Sequence, residues 1–328
     1  MLIRRHIGLF IVILSFIVLS FGIPFALPIC YIFDLSASNR LASTRALFFI
    51  MGLLAMEIFG VLISFIIWII EFPHLNKKRF EHRNYLLQNW WGMTIAKIGI
   101  RIYKLKFSIE EPFEITNESF ILFIRHSSFI DTFLPIFLIS SKHQIRLRYI
   151  LKEELLFGPC LNIVGNRIPN VFVRRDKVNT QRQLEEIRNL VINMPIGEGV
   201  VLYPEGTRFT KEKQEYIRSK AKIEGEKSMM RTLRFKSILP PQMGGALTLL
   251  ETIPNADALF CSHSGLESTV NLKHLLSGQL VGTTIRVNFH QVNASEIPIN
   301  DERRKNWFDD QWAQVDRLVT KFNSIQKL

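Results

Sequence analysis

The sequence predicts an α/β domain with a largely parallel sheet covered by helices, preceded by an N-terminal membrane helical hairpin. Three observations predict it. Two long apolar runs open the chain, Ile7 to Phe33 without a charge and Ala46 to Ile70 broken only by Glu57, and about 20 apolar residues suffice to cross a bilayer. From about Glu110 onward, short apolar runs alternate with longer amphipathic ones, the pattern of strands joined by helices and hence of parallel pairing. A chain of 328 residues that is 48% hydrophobic and holds 26 Phe is rich for one wholly surrounded by water.

The hairpin comes first. "MLIRRH" is a basic lead-in of the kind signal peptides have, but their apolar cores span about 7–15 residues, and no A-x-A-like site follows this longer run. Pro24 and Pro28 leave a kinked or re-entrant form open. Arg4 and Arg5 precede the pair and Lys77, Lys78, Arg79 and Arg83 follow it, against Arg40 and Arg45 between. The positive-inside rule then places both ends in the cytoplasm. The expected organisation is a membrane anchor at 1–75 and an α/β domain at 76–328, an integral membrane protein with that domain on the cytoplasmic face.

The net charge of +12 suits an anionic membrane surface once a hairpin is attached. No zinc-finger spacing, RNP-like aromatic motif or basic zipper points to nucleic acid. Cys30, Cys160 and Cys261 are odd in number and far apart, so neither a disulfide framework nor a metal site is expected.

The later elements follow in order. Asn76–Lys106 reads as a helix whose Trp90–Trp91 pair suits either a lipid interface or inward packing. Ser119–Ile124, Arg148–Leu151, Val171–Val173, Gly199–Pro204 and Ala258–His263 read as buried strands. Ser128–Ser140 and Val178–Met194 read as helices, the second with Leu184, Ile187, Leu190 and Val191 at helical spacing and Pro195 beyond its end. A basic insertion, Phe209–Ile238, holds nine Lys or Arg against four Glu; a solvated face and contact with lipid headgroups or an anionic substrate both remain open. Asp301–Lys327 reads as an amphipathic helix anchored by Trp307, Trp312, Val319 and Phe322.

Two stretches carry chemistry. In "RHSSFID", His126 and Asp131 are five residues apart and would sit about 140° from each other on one helix. They meet only if His126 lies on the turn after a strand and Asp131 in the first helical turn. Ser128-x-x-Asp131 is also a capping box, so a cap and a dyad compete. As a dyad, Asp131 fixes the imidazole and His126 takes a proton from a hydroxyl. In "VVLYPEGTRF", a strand ends in Glu205, Gly206, Thr207 and Arg208; glycine permits a close approach and arginine offers a planar fork for phosphate. No G-x-S-x-G, H-E-x-x-H or G-x-x-x-x-G-K-[ST] is present. Cys261 and His263 read as strand-end core residues rather than a nucleophile pair.

Together, about 75 residues apart behind a hairpin, these stretches resemble the glycerolipid acyltransferase family, most closely its lysophosphatidic acid and related lysophospholipid acyltransferases. The family's H-x-x-x-x-D block falls on His126 and Asp131, and its E-G-T-R block on Glu205, Gly206, Thr207 and Arg208. Its K-x-E-L segment is matched by Lys152 and Glu154, its phosphate-binding block by Arg175, and its proline block loosely by Pro240. Arg174 stands where many bacterial members have Asp, and the P-V pairing of the proline block is missing; both departures touch acceptor recognition.

The resemblance implies a general base, His126, oriented by Asp131, with phosphate contacts from Arg208, Arg175 and Lys152. It implies transfer of a fatty acyl group from acyl-CoA or acyl carrier protein to the hydroxyl of lysophosphatidic acid, with no metal or other cofactor. The partners expected are membrane lipids, the lysophospholipid acceptor and the thioester donor. Another lysophospholipid acceptor, a transacylase and a non-catalytic lipid-binding protein are the alternatives.

Overall fold

A computed structural model describes residues 2–72, 76–111, 119–174 and 180–326. The first half holds α1 (Leu2–Ala37), α2 (Ala42–Glu71), α3 (Lys77–Tyr103), β1 (Lys106–Glu111), β2 (Phe120–Ile124), the one-turn α4 (Ser141–His143), β3 (Leu147–Lys152), α5 (Pro159–Gly165) and β4 (Asn170–Val173). The second half holds α6 (Thr180–Val191), β5 (Gly199–Leu202), α7 (Lys211–Glu224), α8 (Glu226–Leu233), α9 (Met243–Thr252), β6 (Asp257–Ser264), β7 (Thr284–Val292) and α10 (Asp301–Gln326). They form two compact units, one of Met1–Leu105, Phe133–Val178 and Lys273–Gly282, the other of Lys106–Thr132, Asn179–Leu272 and Thr283–Leu328.

In the first unit both apolar runs are helices long and apolar enough to cross a membrane, each with a mean hydropathy of 2.6. The helix α1 continues through Pro24 and Pro28. At the turn, Ser38, Arg40 and Leu41 adopt positive φ, and the Asp34 carboxylate accepts from the amides of Ser43 (2.9 Å) and Thr44 (2.8 Å), capping α2 from its partner helix. Arg79 (2.8 Å) and Arg83 (2.7 Å) of α3 pair with the buried Glu71 at the end of α2.

The two tryptophans divide: Trp91 is buried and Trp90 exposed. Glu57, the one charge inside the second apolar run, is buried and accepts from the Cys160 amide at 2.9 Å, where α5 begins. Gly60 is tighter still, because a Cβ there would collide with Cys160 Sγ and stand 3.1 Å from Trp91 Cδ1. Gly60→Ala should lower the melting temperature of the full-length protein by several degrees, the response to about 1–3 kcal/mol of overpacking. Cys160→Ala, by removing the sulfur, should recover most of it in the double variant; thermal scans of the four proteins in detergent decide.

The second unit is built on strands in the order β1-β7-β6-β2-β5. All its ladders are parallel except β6 with β7, and in the first unit β3 pairs with β4 in parallel. The sheet is thus largely parallel, as the alternation of elements predicts. β1, at one edge of the sheet, and β7 beside it escape the sequence reading because neither is a plain apolar run. The α10 stripe is Phe308, Trp312, Val315, Val319 and Phe322, all buried; Phe308 meets Phe123 of β2 at 4.8 Å between ring centres, while Trp307 lies at the stripe's margin.

The expected helix Ser128–Ser140 is instead a 3-10 turn at Asp131–Phe133, a wide turn at Ile136–Ser140, and α4. Two local competitors break it. Ser128 Oγ accepts from the Ile130 amide at 3.0 Å, a serine turn rather than a helix start, and Pro135 brings no backbone donor.

Candidate active site

Strand register explains why distant residues converge. On β2, Phe123 pairs with Leu202 of β5 and with Phe260 of β6. Counting three residues on from each gives His126, Glu205 and His263, all at the carboxyl ends of three adjacent parallel strands. That edge is where open α/β sheets place their ligands.

Asp131 resolves the competition between cap and dyad by serving both. Its Oδ1 lies 2.9 Å from His126 Nδ1, and its Oδ2 accepts from the amides of Ser127 (2.6 Å) and Ser128 (2.8 Å). The capping box closes on one side only, because Ser128 Oγ is held by Thr269 instead. Burial would push the Asp131 carboxyl up, but the imidazoles of His126 and His263 and the amide hydrogen bonds outweigh it and hold it below its ordinary value. The fixed carboxylate turns His126 so that Nε2 is the nitrogen left for chemistry. Tyr203 packs against the imidazole at 4.8 Å between ring centres and its hydroxyl donates to the Asp131 carbonyl at 3.2 Å.

Glu205 faces inward. It accepts from the His126 amide at 2.7 Å and from the Leu239 amide at 2.9 Å, while the Phe209 amide donates to the His126 carbonyl at 2.8 Å. The E-G-T-R turn therefore grips the backbone of His126 from both sides. Gly206 adopts φ +64° and its amide donates to Tyr203 O at 2.9 Å. Thr207 Oγ accepts from Lys213 Nζ at 2.8 Å. Arg208 is half-buried, with Nη1 donating to the Val270 carbonyl. Lys152 ends β3 in the first unit. Arg175 lies outside the described residues.

Sequence reasoning missed the group beneath the histidine. Arg125 is fully buried, donating to His263 O (2.7 Å), Glu267 (2.5 Å) and Ser237 O (3.2 Å). The loop that carries Ser237 and Leu239 is itself held by Asp316 of α10, whose Oδ1 accepts from the amides of Lys236 (2.9 Å), Ser237 (2.7 Å) and Ile238 (3.0 Å). His263 is fully buried and its Nε2 donates to the Arg125 carbonyl at 2.9 Å. Burial depresses its basicity more than Asp131 raises it, so it sits as a neutral ring. Cys261 is also fully buried, and burial pushes its thiol up, away from a thiolate. Arg125 adjoins a motif and could have been flagged; Glu267 and Asp316 have no local signal.

Burial dominates at Glu205 and pushes it up to about 8, despite the opposing pull of Arg125 and two amides. The sign follows: between the ordinary 4.5 and about 8 the folded state keeps a proton that the unfolded chain has lost, so this group's contribution to stability declines as pH rises through that window. Glu205→Gln removes the decline. Its melting temperature relative to the parent should therefore rise by several degrees between pH 5 and pH 8.5, whatever constant offset the lost amide contact imposes. A pH-independent difference would show that Glu205 is already ionised.

The family model described as Acyltransferase matches residues 104–241, a span that contains both motifs. The 1-acyl-sn-glycerol-3-phosphate acyltransferase epsilon of Mus musculus is 18% identical over 218 residues, which cover 63% of this chain and 58% of that protein. The match thus spans little more than half the length of that relative. The crystal structure of the 1-acyl-sn-glycerophosphate (LPA) acyltransferase PlsC of Thermotoga maritima matches with a TM-score of 0.50 at 14% identity, over 82% of this chain and 96% of that one, a likeness of fold. By these comparisons residues 104–241 match the acyltransferase family model, and the chain is similar to glycerolipid acyltransferases.

Proposed function

We propose that the protein transfers a fatty acyl group from acyl-CoA or acyl carrier protein to the free hydroxyl of lysophosphatidic acid, giving phosphatidic acid. The observation that carries this reading is the His126–Asp131 pair, 2.9 Å apart at the carboxyl edge of the sheet, with one imidazole nitrogen committed to the carboxylate. His126 Nε2 takes the proton of the acceptor hydroxyl as its oxygen attacks the thioester carbonyl. The tetrahedral intermediate collapses, the carbon–sulfur bond breaks, and the imidazolium returns the proton to the departing thiolate. Ester and thiol are the products, and the thioester supplies the driving force.

Asp131 stabilises the transient imidazolium, and Glu205, through the His126 amide, keeps the ring in place. Purified protein in mixed micelles with labelled acyl-CoA and a panel of lysophospholipids tests the proposal. Phosphatidic acid formation that depends on the thioester supports it; turnover without any thioester donor would make the protein a transacylase. The charges flanking the hairpin support a cytoplasmic orientation, which impermeant labelling of single-cysteine variants in sealed vesicles checks.

Arg208, with Arg175 and Lys152, is proposed to hold the acceptor phosphate. A charge-assisted hydrogen bond contributes roughly 1.5–3 kcal/mol, so Arg208→Ala should raise the KM for lysophosphatidic acid by tenfold or more, and that for acyl-CoA much less. Arg208→Lys should recover part, keeping the charge and losing the fork. Steady-state titration of each substrate separates the outcomes: a donor-only effect moves Arg208 to the CoA phosphates, and loss of folded protein alone makes its bond to the Val270 carbonyl the whole of its role.

A further inference from the structure

We propose that the α7–α8 hairpin is a docking surface for anionic phospholipid, fixed directly to the E-G-T-R turn. Tyr216, Ile223, Met230 and Leu233 are exposed by 70%, 88%, 63% and 45%. Of the eight large apolar side chains exposed among the described residues of this unit, four lie between Tyr216 and Leu233, so they are a cluster rather than the single scatter of an ordinary surface.

Helical spacing interleaves these residues with cations. Tyr216, Lys220 and Ile223 share one face of α7, and Lys227 and Met230 follow the same rule on α8. Residues 209–238 hold nine Lys or Arg against four Glu, a net +5. Lys220 pairs with Glu224 at 3.7 Å, an exposed contact of little strength; Lys222 and Lys227 stand exposed beside Ile223 and Met230. Apolar tips flanked by lysines match one partner best, an anionic headgroup layer with acyl chains beneath it.

The surface is rigidly mounted. Arg231 grips Asp309 of α10 through two bonds of 2.7 and 2.9 Å, and Gln214 bonds the carbonyls of Phe235 (3.1 Å) and Lys236 (3.0 Å). On the other side Lys213 Nζ reaches Thr207 Oγ (2.8 Å) and the Arg208 carbonyl (3.1 Å). A docked hairpin therefore holds the E-G-T-R turn at the headgroup layer, where a lipid acceptor resides.

The test uses the full chain with Ile223→Cys in a Cys30→Ser background, Cys160 and Cys261 being buried, spin-labelled and reconstituted in vesicles. With phosphatidylcholine containing phosphatidic acid, the label should be reached by oxygen and shielded from a nickel chelate; with phosphatidylcholine alone it should remain in water. Adding Lys220→Glu, Lys222→Glu and Lys227→Glu should lower the docked population roughly 10²-fold in the anionic vesicles. Equal water access in both vesicles overturns the proposal. So does a label immobilised regardless of lipid charge, which marks a protein contact, and so does undiminished docking of the charge-reversed variant. The readout needs no turnover, so it stands or falls separately from the proposed reaction.

Discussion

His126→Ala should lower kcat by at least 10²-fold, with the fold intact. A positioned general base contributes roughly 10²–10⁴ in rate, and among the described residues the nearest other imidazole cannot replace it: His263 is fully buried and its Nε2 is engaged by the Arg125 carbonyl. The fold should survive because the backbone of residue 126, not its ring, ties β2 to the E-G-T-R turn. Its amide donates to Glu205 and its carbonyl accepts from Phe209, and alanine keeps both. What is lost is the contact with Tyr203 and the bond to Asp131, a cost of about 1–2 kcal/mol. Melting curves and single-turnover rates on the same preparation separate the two effects. A variant that keeps more than about a tenth of the parent rate removes His126 from the base role.

The hairpin, the five strands and α10 were legible because their signals are local: long apolar runs, short apolar runs bounded by turns, and a stripe at helical spacing; of the strands read as buried, β4 is only half-buried. The dyad was legible because His126 and Asp131 lie within one turn of chain. The role of Glu205 was not. As part of E-G-T-R it read as one residue of a turn motif, yet its carboxylate is buried beneath His126, and only the register of β2 with β5 brings the two together. The same holds for Arg125, where a charge directly after an apolar strand looks like a surface residue until Glu267, Ser237 and the Asp316-held loop arrive from later in the chain. The β1 and β7 strands and the broken turn after Ser128 were hidden for another reason. Mixed polarity along a strand and competition from a serine side chain both weaken the periodicity on which such reading depends.

Asp131→Asn is the sharper test of mechanism, because it preserves shape and alters one hydrogen-bonding atom. The parent carboxylate offers Oδ1 to His126 Nδ1 and Oδ2 to the amides of Ser127 and Ser128. An asparagine has one acceptor oxygen, and two backbone donors compete for it against one ring nitrogen. With its oxygen on the amides, the side-chain NH2 faces Nδ1 and forces the imidazole to accept there, placing the ring proton on Nε2. A base protonated at its working nitrogen cannot take the proton of a hydroxyl, so the rate should fall roughly 10²–10⁴-fold, as far as in His126→Ala. Nitrogen-15 histidine NMR should show the proton moving from Nδ1 to Nε2. Stability gives an independent check. The Asp131 pKa is held below its ordinary value, so its stabilising contribution is present above the ordinary carboxylate range and is lost as pH falls through the depressed pKa; the asparagine variant should lack that acid limb. If Asp131→Asn turns over at more than about a tenth of the parent rate, or shows the parent's tautomer while inactive, the carboxylate acts as the cap of this turn and not as the orienter of the base.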